Sequence, residues 1–100
     1  MCDSVYTIEQ IKTTLRPIFK TYCVHRAILF GSYAKGRPHK NSDIDIWVDS
    51  GLHGLAFYGL LEDVVTSLGK SVDLLDSSQI IPNSEIDNEI RKSGVTIYEE

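Results

Sequence analysis

Three aspartates on two segments of the chain have the types and spacing of a divalent-metal site. Asp43 and Asp45 lie in a stretch that alternates polar and apolar residues, so on a strand they share one face, with Cα atoms roughly 6.6 Å apart. Two carboxylates at that distance repel by roughly 2.5 kcal/mol at an effective dielectric constant of about 20, and a bridging Mg²⁺ or Mn²⁺ offsets this repulsion. Asp73 joins the pair if its strand lies beside theirs. An isolated Asp-x-Asp pair is, however, typical of the solvent-facing side of an edge strand.

A glycine–serine pair and three cations precede these aspartates and suit phosphate binding. Gly31 lets the backbone approach a ligand closely, and the Ser32 hydroxyl with the following N–H groups can hold phosphate oxygens. Lys35, Arg37 and Lys40 lie in the same loop. Polyphosphate is bound by such cations together with a metal ion held by acids. By itself Gly-Ser is usually a turn, and the loop lacks the spacing of a Walker motif.

The spacing between the two motifs carries more information than either motif alone. Gly31 and Ser32 are followed by ten residues and then by the pair Asp43 and Asp45. This compound pattern resembles the signature of the DNA polymerase β-like nucleotidyltransferase superfamily. The chain is most similar to the minimal nucleotidyltransferase (MNT) branch, the antitoxins encoded beside HEPN-domain toxins. Lys35 departs from the pattern, because many relatives have arginine there; lysine keeps the charge but loses the bidentate guanidinium.

The resemblance implies a role for each residue of the compound motif. Gly31 and Ser32 would hold the β- and γ-phosphates of ATP, and Asp43 and Asp45 would ligate one or two Mg²⁺ ions. Asp73 would complete the metal site and help to deprotonate the attacking hydroxyl. The reaction so implied is an in-line displacement at the α-phosphate of ATP, with pyrophosphate as the leaving group.

Two further assignments come from the residues themselves, and each has a simpler alternative. Lys35 and Arg37 are suited to neutralise the leaving pyrophosphate, or they are solvated loop cations. Trp47 shares the predicted face of Asp45, where it either stacks on the nucleotide base or is covered by a helix or a partner.

The length of the chain restricts how an acceptor is bound. Because only 24 residues follow Asp76 and the core needs them, we expect the acceptor to bind the core itself or to be brought by a partner protein. The resemblance supplies a candidate, since MNT antitoxins transfer AMP to a tyrosine of their HEPN ribonuclease toxin and so silence it. Two other functions stay open: a non-catalytic antitoxin that covers the toxin, and a small-molecule adenylyltransferase whose acceptor domain is a separate chain.

The hydrophobic pattern predicts the elements that position these residues, in the order α-β-β-α-β-α-β. Helices are predicted over residues 7–22, 55–68 and 83–92, and strands over residues 24–30, 43–49, 71–76 and 95–98. Thr7 and Gln10 have the form of a capping box, whereas Pro17 predicts a kink or a break in the first helix. The expected fold class is α/β (α+β), a small mixed β-sheet with helices packed against it, as in the polymerase β-like core.

Composition and charge indicate a globular protein and restrict its partners. The 100 residues are 42% hydrophobic and 24% charged, and we expect one domain over residues 1–100. No apolar run approaches the roughly 20 residues of a membrane span and no secretory signal is visible, so a cytoplasmic protein is expected. Cys2 and Cys23 form neither a disulfide framework nor a zinc site, and Cys23 is interpreted as a small core residue. A net charge of −4 argues against stable nucleic-acid binding.

Overall fold

The computed structural model describes residues 6–36 and 43–100, and its elements follow the predicted order. The helices are α1 (Ile8–Thr21), α2 (Leu55–Leu68) and α3 (Glu85–Ser93), and the strands are β1 (Arg26–Phe30), β2 (Ile44–Asp49), β3 (Val72–Asp76) and β4 (Val95–Glu99). These bounds agree with the predicted ones within two residues, and a short 3₁₀ turn at Ser77–Gln79 follows β3. In the described part of the chain no helix is long and apolar enough to cross a membrane.

The four strands form one mixed sheet in the order β3-β2-β1-β4. β1 is antiparallel to both β2 and β4, whereas β3 is parallel to β2. The register pairs Phe30 at the end of β1 with Asp45, and Asp45 with Asp73. One end of the sheet therefore brings together the end of β1 and the starts of β2 and β3.

The helices cover the two faces of the sheet unequally. On one face the alternate residues of β2 are fully buried in a cluster with side chains of α1 and α2; these β2 residues are Ile44, Ile46 and Val48. On the other face α3 packs along β1 and buries Ile90. Asp43 and Asp73 stay exposed on that second face. The sheet thus presents an accessible acidic surface beside α3.

Two expectations about the first part of the chain are wrong: a break of the helix at Pro17 and a buried Cys23. Helix α1 continues without a break through Pro17, which lacks the N–H that would donate to Thr13. The helix tolerates this loss because its apolar face is anchored in the core on both sides of the proline, by Ile11, Leu15 and Phe19. Cys23 is exposed rather than buried, because it adopts φ 57° in the turn between α1 and β1.

Candidate active site

Gly31 follows β1 directly and lies against the carboxylate of Asp45. Its φ of 76° falls in the left-handed region that favours glycine. A Cβ at this position would overlap Oδ2 of Asp45 and stand 3.1 Å from its Cγ. Backbone conformation and close approach therefore both exclude a side chain, and they bring the main chain of the glycine–serine pair beside an expected metal ligand.

Residues 31–36 form a compact turn that holds Ser32 at the surface. The N–H of Lys35 donates to the carbonyl of Gly31 at 3.1 Å, and the N–H of Gly36 donates to the carbonyl of Tyr33 at 3.3 Å. Tyr33 is only 2% exposed and belongs to the core cluster, whereas Ser32 is half-buried. The tyrosine thus anchors the turn and leaves the serine next to the open end of the sheet.

The three predicted aspartates lie on one face at the same end of the sheet. The parallel register places Asp73 directly beside Asp45, so the expectation that the third strand neighbours the second is confirmed. Asp43 comes two residues before Asp45 and therefore shares its face. Asp43 and Asp73 are exposed, and Asp45 is half-buried.

Asp45 is the carboxyl group that this environment perturbs. Burial, together with the negative charges of Asp73, Asp43 and Glu89, raises the pKa of Asp45 to about 6. The raised pKa means that burial and the neighbouring negative charges destabilise the ionised form of Asp45. A bound cation would relieve that destabilisation.

The donor set suits a divalent cation, although the side chains as they stand do not form a metal site. Within residues 6–36 and 43–100, no group of three or more His, Cys, Asp or Glu side chains could hold a metal ion in its present arrangement. Asp43 and Asp73 are exposed, so their side chains can rotate towards Asp45 without repacking the core. Carboxylate oxygens are the ligands that Mg²⁺ prefers. The chemistry of the three groups therefore fits the ion.

Lys35 is the predicted phosphate-binding cation that lies within the described residues. Its Nζ is 4.0 Å from Oε2 of Glu89 on α3, and both side chains are partly exposed. Arg37 and Lys40 lie outside the described residues. Trp47, the candidate base-stacking residue, is half-buried two residues beyond Asp45 and pairs in register with Leu75.

Glu89 is a residue of this site that the sequence did not indicate. It acts on both Asp45 and Lys35, because α3 packs along β1 on the same face of the sheet. In the sequence it is an acid beside Ile90, whose burial is readable from the helical pattern. That pattern shows that Glu89 lies near the sheet, but not which face of the sheet α3 covers.

Sequence comparisons match the chain to nucleotidyltransferases. The model of the family described as polymerase beta, nucleotidyltransferase, matches residues 13–100. A candidate protein adenylyltransferase of Methanocaldococcus jannaschii is 38% identical over 78 residues, which cover 75% of this chain and 83% of that protein. The protein adenylyltransferase MntA of Shewanella oneidensis is 44% identical over 50 residues, which cover 48% of this chain and 36% of MntA.

Solved structures with the same fold come from toxin–antitoxin complexes. A chain of a toxin–antitoxin crystal structure with AMP-PNP superposes with a TM-score of 0.76 at 25% identity, over 89% of this chain and 73% of that chain. A second structure holds the tri-AMPylated HEPN toxin of Shewanella oneidensis with its MNT antitoxin. It gives a TM-score of 0.71 at 19% identity, over 94% of this chain and 74% of that chain, a likeness that shows the fold alone.

Proposed function

We propose a reaction for this chain from one premise: it belongs to the minimal nucleotidyltransferase (MNT) family of polymerase β-like proteins, and it is a nucleotidyltransferase. The proposal is that it serves as an antitoxin, transferring AMP from ATP to a tyrosine of a HEPN-family toxin in a Mg²⁺-dependent reaction. The relatives support this proposal, since one is named a protein adenylyltransferase and another, at 25% identity, belongs to a toxin–antitoxin complex solved with AMP-PNP.

The observation that carries the proposal is the contact between Gly31 and Asp45. It brings a main-chain turn able to cradle phosphate against a carboxylate able to bind metal, and Asp73 stands in register beside that carboxylate. If this turn and the acidic face of the strand were only solvent-exposed surface, nothing would require a glycine so close to the carboxylate of Asp45. The arrangement supports the proposal that a polyphosphate and a cation bind here together.

Each described residue of the candidate site has a definable part in the proposed transfer. The N–H groups after Gly31 and the hydroxyl of Ser32 bind the terminal phosphates of ATP and orient the α-phosphorus. A carboxylate oxygen of Asp73 accepts the proton of the acceptor hydroxyl, whose oxygen then bonds to the α-phosphorus. The bond from that phosphorus to the β-bridging oxygen breaks, and Lys35 stabilises the departing pyrophosphate. Mg²⁺, held by Asp43 and Asp45 with Asp73, would polarise the phosphate oxygens.

The position of the site suits an acceptor carried by another protein. Asp43 and Asp73 are exposed at the end of the sheet, so a tyrosine on the surface of a partner can reach them. This exposure supports an acceptor that lies on the partner protein.

Intact-mass measurement of the partner tests the proposal. The chain is incubated with ATP, Mg²⁺ and the product of the neighbouring gene, the proposed HEPN partner, and the partner is then weighed. A gain of one or more AMP masses is expected with the wild type and with the control Glu62→Gln, which removes one exposed carboxylate on α2. The double variant Asp43→Asn, Asp45→Asn is expected to give no gain. If that variant still suppresses the toxin's activity, inhibition works by covering the toxin and the catalytic proposal is wrong.

A further inference from the structure

A basic groove lies between α1 and β4, apart from the candidate active site. It encloses about 490 Å³ and is lined by Lys12, Arg16 and Lys20 of α1 and by residues 96–99 of β4. Arg16 and Lys20 are exposed, and the Lys12 side chain is 38% exposed. The proposed nucleotidyl transfer uses none of these residues.

The floor of the groove is the edge of a sheet. β4 ends the strand order β3-β2-β1-β4, and in the described part of the chain no strand pairs with its outer side. The register of β4 against β1 shifts at Ile97, and on either side of this irregularity alternate residues of the edge direct their N–H and C=O groups outward, where they can pair with another extended chain. The outer edge of β4 therefore offers main-chain groups that can pair with a chain in extended conformation.

The cations along the α1 wall of the groove have nearly the same spacing as the side chains on one face of an extended strand. Lys12, Arg16 and Lys20 recur every four residues, a rise of about 6 Å per step along a helix. Side chains on one face of a strand recur about every 6.7 Å. Because α1 and β4 line the same groove, a strand added to β4 would set alternate side chains opposite successive cations.

The positive charge of the groove favours acidic side chains on a strand that pairs with β4. Glu99 forms an ion pair with Arg26 at 2.6 Å, and Lys12 is 3.7 Å from the exposed Glu9. Arg16 and Lys20 are left to attract acids, so the groove is basic on a protein whose net charge is −4. The two nearby glutamates disfavour a continuous phosphate backbone and leave discrete positions for carboxylates.

We propose that this groove binds an extended acidic segment of a partner protein, which adds to β4 as a fifth strand and sets alternate carboxylates against α1. β4 and β3 are opposite edges of the sheet, about 14 Å apart across three strand spacings. A segment held at β4 leaves Asp73 on β3 uncovered. The groove therefore tethers a partner without blocking the active site, and its binding does not depend on catalysis.

Fluorescence anisotropy with a defined peptide tests the groove. The probe is a labelled peptide of alternating glutamate and threonine, five residues long to match β4. The triple variant Lys12→Gln, Arg16→Gln, Lys20→Gln is expected to weaken binding at least about tenfold. The control Arg91→Gln, Lys92→Gln, which removes cations exposed on α3, is expected to bind like the wild type. Peptide binding is also expected to slow amide hydrogen exchange in β4.

A second peptide separates strand addition from attraction between charges. The same sequence with N-methylated backbone amides keeps its carboxylates but loses main-chain donors, and we expect it not to bind. Equal binding of the methylated peptide overturns the proposal, as does an unchanged affinity of the triple variant. Tighter binding of a single-stranded oligonucleotide than of the acidic peptide would assign the groove to nucleic acid instead. Circular dichroism of each variant verifies that the fold is retained.

Discussion

Replacing Asp45 by asparagine is expected to stabilise the metal-free protein while abolishing its activity. In the folded chain Asp45 is half-buried beside Gly31, and it faces the charges of Asp73, Asp43 and Glu89. In the unfolded chain the same carboxylate is hydrated and far from those groups. Ionised Asp45 therefore opposes folding, and an isosteric neutral side chain removes that opposition.

The size of the effect follows from the pKa of Asp45. Burial and the neighbouring acids raise the pKa from 3.8 to about 6, and two units correspond to about 3 kcal/mol at a pH above both values. Because Asp45 is partly exposed, solvent screening reduces this figure, and we expect about 1–2 kcal/mol. For a domain of this size that gain raises the melting temperature by roughly 5–10 °C.

Thermal unfolding in EDTA as a function of pH measures this effect. The folded state binds the proton of Asp45 more tightly than the unfolded state, so the wild type loses stability as pH rises from about 4 to about 6. The advantage of Asp45→Asn is therefore expected to be full at pH 8 and to vanish below about pH 4. Glu62→Gln, with the same change of charge on the surface of α2, is expected to shift stability by less than about 0.5 kcal/mol. A destabilised Asp45→Asn at pH 8, or a gain independent of pH, would refute the electrostatic account.

Three further substitutions test separate parts of the structure. Gly31→Ala is expected to lower stability by at least about 2 kcal/mol and to abolish nucleotide binding, because the new methyl group meets the Asp45 carboxylate at a positive φ; urea unfolding and calorimetric titration with ATP measure both effects. Burial by itself raises the pKa of Asp76, but hydrogen bonds from Ser50 and Ser78 outweigh it and lower the pKa. Asp76→Asn is thus expected to cost about 2 kcal/mol at pH 7, with the difference from the wild type disappearing as pH falls below about 4 in an acid-unfolding series. Tyr33→Phe removes a buried hydroxyl that has no hydrogen-bond partner among the described residues, and its melting temperature is expected to equal or exceed that of the wild type.

The strand pattern around Asp45 was sufficient to predict which side chains share a face. Strict alternation over residues 43–49 assigns Ile44 and Ile46 to the core and the aspartates to the opposite face, and the structure agrees. The pairing of Asp45 with Asp73, by contrast, could not be predicted from the alternation pattern of either strand. A five-residue strand reveals its own two faces, but its neighbour in the sheet is decided by long-range packing, and only the family resemblance indicated it.

The features that the sequence did not reveal depend on tertiary contacts. Glu89 enters the site because α3 covers β1, a choice of face that helical periodicity does not encode. Asp76 looks like one more strand acid, yet it is 3% exposed and accepts four hydrogen bonds from Ser50 and Ser78. Cys23 is apolar enough for a core, but the turn after α1 directs it outward. In each case packing overrides the preference of the individual residue.

The fate of each phosphate of ATP tests the central claim most directly. The chain is incubated with Mg²⁺ and the proposed HEPN partner, using ATP radiolabelled either at the α-phosphate or at the γ-phosphate. The account predicts that the α-label becomes attached to a tyrosine of the partner, that the γ-label leaves in pyrophosphate, and that Asp45→Asn abolishes both changes. Transfer of the γ-label to the partner, or α-labelling that persists in Asp45→Asn, would contradict it.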